Sequence, residues 1–104
     1  MSNRANSWFV YIIQYRLDRL YTGITTDVSR RFAEHSGGGY KAAKALRGKG
    51  PYELVYCEEA STRAEALSRE AQIKKMTKAQ KQKLLGNCVY DLSAFKHGVK
   101  EQEG

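Results

Sequence analysis

Trp8-Phe9-Val10-Tyr11-Ile12-Ile13, then Arg16-Leu17-Asp18-Arg19, then Leu20-Tyr21-Thr22-Gly23-Ile24: this stretch decides the fold. The first run is aromatic and β-branched, the composition of a strand buried on both faces. Charged residues interrupt it and the second run resumes it, so the two are most simply paired as a hairpin. Side chains alternate along a strand, and directly opposed residues share a face. In a hairpin the numbers of opposed residues have a constant sum. Tyr11 and Tyr21 are both odd, so they share a face only if that sum is even. A two-residue turn at Asp18-Arg19 makes it odd. A shared face therefore requires an odd-length connection, such as Leu17-Asp18-Arg19, or a bulge that restores the parity. Tyr15 is then expected near Tyr21.

Downstream, Thr25-Thr26-Asp27 offers N-cap residues, with Asp27 favourable in a first helical turn. The helix predicted there runs through Val28, Phe32 and Ala33 and stops at Gly37-Gly38-Gly39. Residues 36–51 read as a flexible basic connection carrying Lys41, Lys44, Arg47 and Lys49, with one helical turn at Ala42-Ala43-Lys44-Ala45-Leu46. Residues 52–57 read as a third strand centred on Leu54, Val55 and Tyr56. Thr62 and Glu65 form a T-x-x-E capping box, and the second helix places Ala64, Leu67 and Ala71 on one stripe. Thr77 and Gln80 repeat the cap for a third helix that ends at Leu84-Leu85-Gly86. The expected fold is α+β, a three-stranded antiparallel sheet flanked by helices in the order ββαβαα. The domain spans 8–87. A partly disordered extension, 88–104, follows, with Val89, Leu92 and Phe95 able to dock, and residues 2–7 are expected to fray.

A chain of 104 residues, 41% hydrophobic, has room for one domain and one modest core, not for a cofactor domain beside a substrate domain. Lys and Arg number 18 against 11 Asp and Glu, a net charge of +7, which favours a polyanionic partner. Cys57 and Cys88 are isolated, so neither a disulfide framework nor a CxxC site is expected, and with only two histidines no zinc site is either. Trp8 to Ile13 is the longest apolar run, far too short to span a membrane. No signal peptide is read, and a cytoplasmic location is expected.

Five side chains carry chemistry. Tyr11 and Tyr21 lie on the hairpin strands. Arg31 and His35 are four apart on the first helix and share a face. Glu70 lies on the second helix. Hydrolysis of a phosphodiester needs a metal ligand, and the hard oxygen of Glu70 is one. It needs a cation at the charged phosphorus, and a guanidinium such as Arg31 matches phosphate bidentately. It also needs a proton acceptor for the attacking water. A tyrosinate would require its pKa, about 10, to fall roughly three units, worth about 4 kcal/mol; His35 would require far less. Tyr11, Tyr21 and His35 all remain open for that role. Each residue also has an ordinary reading: tyrosines pack cores, His35 suits a helix C-terminus, Arg31 can be solvated, and Glu70 pairs with Lys74 one turn on.

Taken together, these residues resemble the GIY-YIG nuclease family. Tyr21-Thr22-Gly23 looks like its second motif, Y-x-G, and Phe9-Val10-Tyr11 like its first, with Phe9 in place of a glycine. Arg31 stands eight positions after Gly23 and His35 four further on, where the family carries an arginine and a histidine. Its metal-binding glutamate maps to Glu70 in Arg69-Glu70-Ala71-Gln72-Ile73-Lys74, and its late asparagine to Asn87 or Gln82. Residues 20–31, with Lys44-Ala45-Leu46-Arg47-Gly48-Lys49-Gly50, resemble the small stand-alone bacterial members. The resemblance, spanning about 8–85, implies an endonuclease that hydrolyses DNA with one divalent metal ion, most simply Mg2+, and prefers DNA structure to sequence, as repair or recombination enzymes do. Tyr11, Tyr21, Arg31 and His35 would be catalytic and Glu70 would hold the metal. Lys41, Lys44, Arg47 and Lys49 would follow the DNA backbone, and a protein partner would supply targeting. The alternative is a non-catalytic nucleic-acid-binding module of the same fold.

Overall fold

A computed structural model describes residues 7–37 and 39–86. Strands β1 (Trp8–Tyr15), β2 (Arg19–Thr25) and β3 (Glu53–Ala60) alternate with helices α1 (Val28–Gly37), α2 (Arg63–Lys74) and α3 (Lys78–Gly86) in the order ββαβαα. The strands make one antiparallel sheet, β2-β1-β3. Fold class and element order are those expected. Asn87, Cys88, the extension 88–104 with its Val89, Leu92 and Phe95, and residues 2–6 lie outside the described residues.

β1 is the central strand, and helices cover both its faces. Val10, Ile12 and Ile13 have no exposed surface, and Tyr11 is 2% exposed, as a run without polar residues requires. On one face Tyr11, Ile13, Leu54 and Cys57 pack with Val28 and Phe32 of α1 and with Leu46. On the other, Val10, Ile12 and Tyr56 pack with Ala66 and Ile73 of α2, and Leu84 and Leu85 of α3 close the margin. Ile12 pairs with Tyr56 but Ile13 with Leu54, so Val55 is an extra residue on β3. That bulge sends Leu54 and Tyr56, which strict alternation would keep together, to opposite faces.

The hairpin meets the parity condition. Tyr11 opposes Gly23, Ile13 opposes Tyr21 and Tyr15 opposes Arg19, an even sum. The connection is Arg16–Asp18, in which Leu17 (φ 63°, ψ 31°) and Asp18 (φ 60°) are both left-handed, the backbone of a primed hairpin turn. Arg16 is the additional residue, and its N–H donates to the Lys49 carbonyl at 3.0 Å. The connection falls one residue earlier than Leu17-Asp18-Arg19, so Tyr21 faces Ile13 and Tyr15 stands diagonal to it.

The caps form as the sequence implies. Asp27 Oδ1 accepts the Arg30 N–H at 3.0 Å and starts α1. Thr62 Oγ1 accepts from Glu65 N–H, and Thr77 and Gln80 bond reciprocally. Two expectations need correction. The buried face of α2 is Ala66 and Ile73, while Ala64, Leu67 and Ala71 face solvent. Ile73 is the one bulky β-branched side chain on the helix, and Ala66, two turns earlier, lets the backbone approach the sheet; these outweigh a stripe of two alanines and one leucine. Residues 39–51 are also pinned rather than loose. Leu46 is fully buried in a short 3-10 turn, Lys44–Leu46. The Tyr52 hydroxyl donates to the Leu46 carbonyl at 2.5 Å and accepts from Lys49 N–H at 3.1 Å.

Candidate active site

Tyr11 lies across Gly23, its register partner on the edge strand. A Cβ on Gly23 would stand 2.5 Å from the Tyr11 hydroxyl and 2.7 Å from Cζ. The glycine of Tyr21-Thr22-Gly23 therefore exists so that the tyrosine of the neighbouring strand can lie down over it. Tyr21 and His35 close a triangle of rings with Tyr11: centroids are 6.4 Å apart for the two tyrosines, 5.9 Å for Tyr11 and His35, and 5.4 Å for Tyr21 and His35, the last edge-on.

His35 is fully buried. Its Nδ1 accepts the Ala43 N–H at 3.2 Å, and its Nε2 lies 2.9 Å from the Tyr11 hydroxyl. A neutral imidazole carries one N–H. The Ala43 donor assigns that hydrogen to Nε2, so His35 donates to the Tyr11 oxygen. Burial, and then the Arg31 cation, push the His35 pKa down to about 4 despite Glu34, and the ring stays neutral at physiological pH. Burial is also the first reason that the Tyr11 pKa lies well above that of a free phenol; Tyr21 and Glu70 add to the rise, and Arg31 opposes it.

Arg31 extends from α1 with Nη1 bonded to Glu34 Oε1 and to the Lys41 carbonyl, both at 2.8 Å. Arg47 takes the carbonyls on either side, its Nη2 reaching Tyr40 at 2.8 Å and its Nε Ala42 at 3.1 Å. Three consecutive carbonyls, 40 to 42, thus rest on two arginines, and the next N–H rests on His35. Lys41 and Lys44 stand exposed on this segment, and Lys49 is half-buried.

Glu70 sits on a helix that does not share the tyrosine face. Helix α2 does not pack on the tyrosine face but on the opposite one, through Ala66 and Ile73. Glu70 lies between them on the same helical stripe, and its side chain, 18% exposed, bonds Lys74 Nζ at 3.2 Å. Its charge nonetheless acts on Tyr11. Arg69 sets the helix against β3: its Nε donates to Glu58 Oε2 at 2.9 Å, and Glu58 also accepts the Tyr56 hydroxyl. Sequence reasoning missed this clamp, because no local rule links positions 58 and 69. It also missed Glu34, which the i,i+3 spacing from Arg31 does signal. Gln82 is exposed on α3.

Among the described residues no group of three or more His, Cys, Asp or Glu side chains could hold a metal ion. A single carboxylate, completed by water and substrate phosphate oxygens, is a donor set that magnesium accepts and structural zinc does not. No helix among the described residues is long and apolar enough to cross a membrane.

The family model described as the GIY-YIG catalytic domain matches residues 7–83, and the chain belongs to the GIY-YIG nuclease family. A UPF0213 protein of Cronobacter sakazakii is 56% identical over 78 residues, 75% of this chain and 80% of that one. UPF0213 protein YhbQ of Escherichia coli K12 is 49% identical over 78 residues, 75% and 76% of the two chains. Among solved structures, the solution NMR structure of UPF0213 protein BH0048 from Bacillus halodurans matches with a TM-score of 0.50 at 36% identity, over 77% of this chain and 83% of that one.

Proposed function

We propose that this protein is a magnesium-dependent endonuclease that hydrolyses DNA phosphodiester bonds and selects its sites by DNA structure, in the manner of repair and recombination enzymes in the cytoplasm. The observation that carries this reading is the convergence of Tyr11, Tyr21 and His35 in one ring triangle, with Arg31 and Glu70 both acting electrostatically on Tyr11. A module that only binds nucleic acid has no use for a carboxylate whose charge acts on the buried tyrosine of the site, since that charge repels phosphate.

The roles follow from the hydrogen bonds. His35 is not the base: one ring nitrogen gives its hydrogen to Tyr11 and the other accepts from Ala43. Tyr11 is buried and held protonated. Tyr21, half-buried at the sheet edge, is the tyrosine that water can reach; as its phenolate it would accept the proton of the attacking water and return to the neutral phenol. Arg31 receives the phosphate. Glu70 would hold the metal ion, which when bound lowers the pKa of neighbouring hydroxyl groups and stabilises charge on the leaving oxygen. Lys41, Lys44 and Lys49 follow the DNA backbone, while Arg47 holds the segment that presents them.

Cleavage of matched duplex, single-stranded, nicked and branched DNA, each with magnesium and with chelator, tests the reading. Magnesium-dependent cutting, strongest on branched substrates, is expected. Binding without cutting of any substrate would replace the enzyme by the binding module.

A further inference from the structure

The basic connection is not the only cationic surface. At the far end of the hairpin, Leu17 is 77% exposed in a left-handed conformation (φ 63°) that a branched apolar side chain rarely adopts. Strain of this kind at an exposed position points to a contact that the free molecule does not show. The tip is rigid: the Arg16 N–H is bonded to the Lys49 carbonyl, and Asp18 Oδ1 accepts from Gln14 Nε2 at 2.9 Å. Three cavities meet at Tyr15 and Leu17. One, about 490 Å³, joins the tip to α3 and is edged by Arg19, Lys78 and Lys81. A second, about 170 Å³, is edged by Arg16, Arg19 and Lys49. The third, about 540 Å³, is floored by the rings of Phe32 and Tyr52 and also carries Asp18 and Glu53. An apolar wedge on a fixed turn, with five cations around it and aromatic surface behind it, is the chemistry that opens a stacked base step while gripping the flanking phosphates.

We propose that the tip of the hairpin engages the branch point of a DNA substrate, with Leu17 inserted against the unstacked base pair and Arg16, Arg19, Lys49, Lys78 and Lys81 holding the phosphates on either side. The inference rests on the nuclease reading for its purpose, but its geometry stands apart from the catalytic residues. Charge complementarity names the occupant as nucleic acid, and the exposed leucine names the opened step. The pair Tyr15 and Arg19 is one two-residue step along the strands from Ile13 and Tyr21, so Leu17 stands roughly 10 Å from Tyr21 at about 3.4 Å per residue. With the backbone running along the hairpin, the cut falls roughly three nucleotides from the branch.

Leu17→Asn is the discriminating variant, because asparagine tolerates the left-handed conformation and removes only the apolar side chain. A branched DNA carrying 2-aminopurine at the branch is titrated with protein in chelator, where no cutting occurs. Wild type is expected to raise the fluorescence as the base unstacks. Leu17→Asn, with an unchanged or higher Tm, is expected to lose at least four-fifths of that rise, and Leu17→Met to keep it. Lys78→Ala with Lys81→Ala should lower the log–log salt slope of binding by about two. In magnesium, Leu17→Asn should cut branched DNA at least tenfold more slowly than wild type. Equal fluorescence in wild type and Leu17→Asn, or no rise in either, overturns the wedge. A Leu17-dependent rise without cutting of any substrate supports the wedge and overturns the nuclease reading alone.

Discussion

At Gly23 the missing side chain is the feature that matters. The Y-x-G spacing was readable in the sequence, but the reason for the glycine lies on another strand, in the ring of Tyr11. Gly23→Ala should displace Tyr11 from His35 and slow single-turnover cleavage about a hundredfold, the effect of misplacing a reacting group by about 1 Å. A variant that cuts at the wild-type rate would leave the close approach without function. His35 was also legible from its spacing after Arg31, but not its role: only the Ala43 N–H, eight residues on, fixes which nitrogen carries the hydrogen. Its pKa of about 4 lies below the ordinary 6.5, so the unfolded chain binds the proton first. The stabilisation is therefore full above pH 6.5 and is lost as pH falls from there through 4. Protonation sets two donors against each other at Nδ1 and should release the segment at Ala43. Stability should fall on the order of 2 kcal/mol across that window, less than the full shift gives because solvent around Tyr21 screens the charge. NMR titration of the Ala43 amide should report a midpoint near that of the ring; an amide shift that stays flat down to pH 4 would contradict the assigned bond.

Among the elements, the helix starts were legible because capping is local: Asp27, Thr62 and Thr77 each bond an amide three residues on. The face of α2 was not, because alanine-rich helices carry little periodic signal and the sheet chooses the face through Ile73. The basic segment was legible in its composition and in its one helical turn, Lys44–Leu46, but not in its anchoring. Its order comes from Arg31, His35, Arg47, Tyr52 and Arg16, partners up to 33 residues from it in sequence, as for Arg16 and Lys49. This separates its cations by task. Lys44→Ala should lower the salt slope of DNA binding by about one, each lost phosphate contact giving that much. Arg47→Ala frees two carbonyls instead, and should reduce amide protection at residues 40–43 while lowering binding at every salt concentration. An identical change of slope in the two variants would mean that Arg47 is a phosphate ligand after all.

For the molecule as a whole, the odd parity of Tyr11 and Tyr21 was enough to demand an odd-length connection, and the fold supplies one. The same alternation that unites the tyrosines places α2 on the other face, so the route from Glu70 to Tyr11, on which its charge acts, starts on the helix that covers the opposite side of the sheet. That route was not visible in the sequence, which gives the helix but not the side it packs on. It makes Glu70 the most exacting test of the site, because its carboxylate is bonded to Lys74 and could have been an ordinary helix pair. The direct measurement is single-turnover cleavage of a branched DNA in magnesium by wild type and Glu70→Ala, with binding measured in parallel in chelator. The site described here predicts at least a thousandfold loss of cutting by Glu70→Ala with affinity within about threefold of wild type, since removing a carboxylate takes away no phosphate contact. Cutting by Glu70→Ala at the wild-type rate would contradict it.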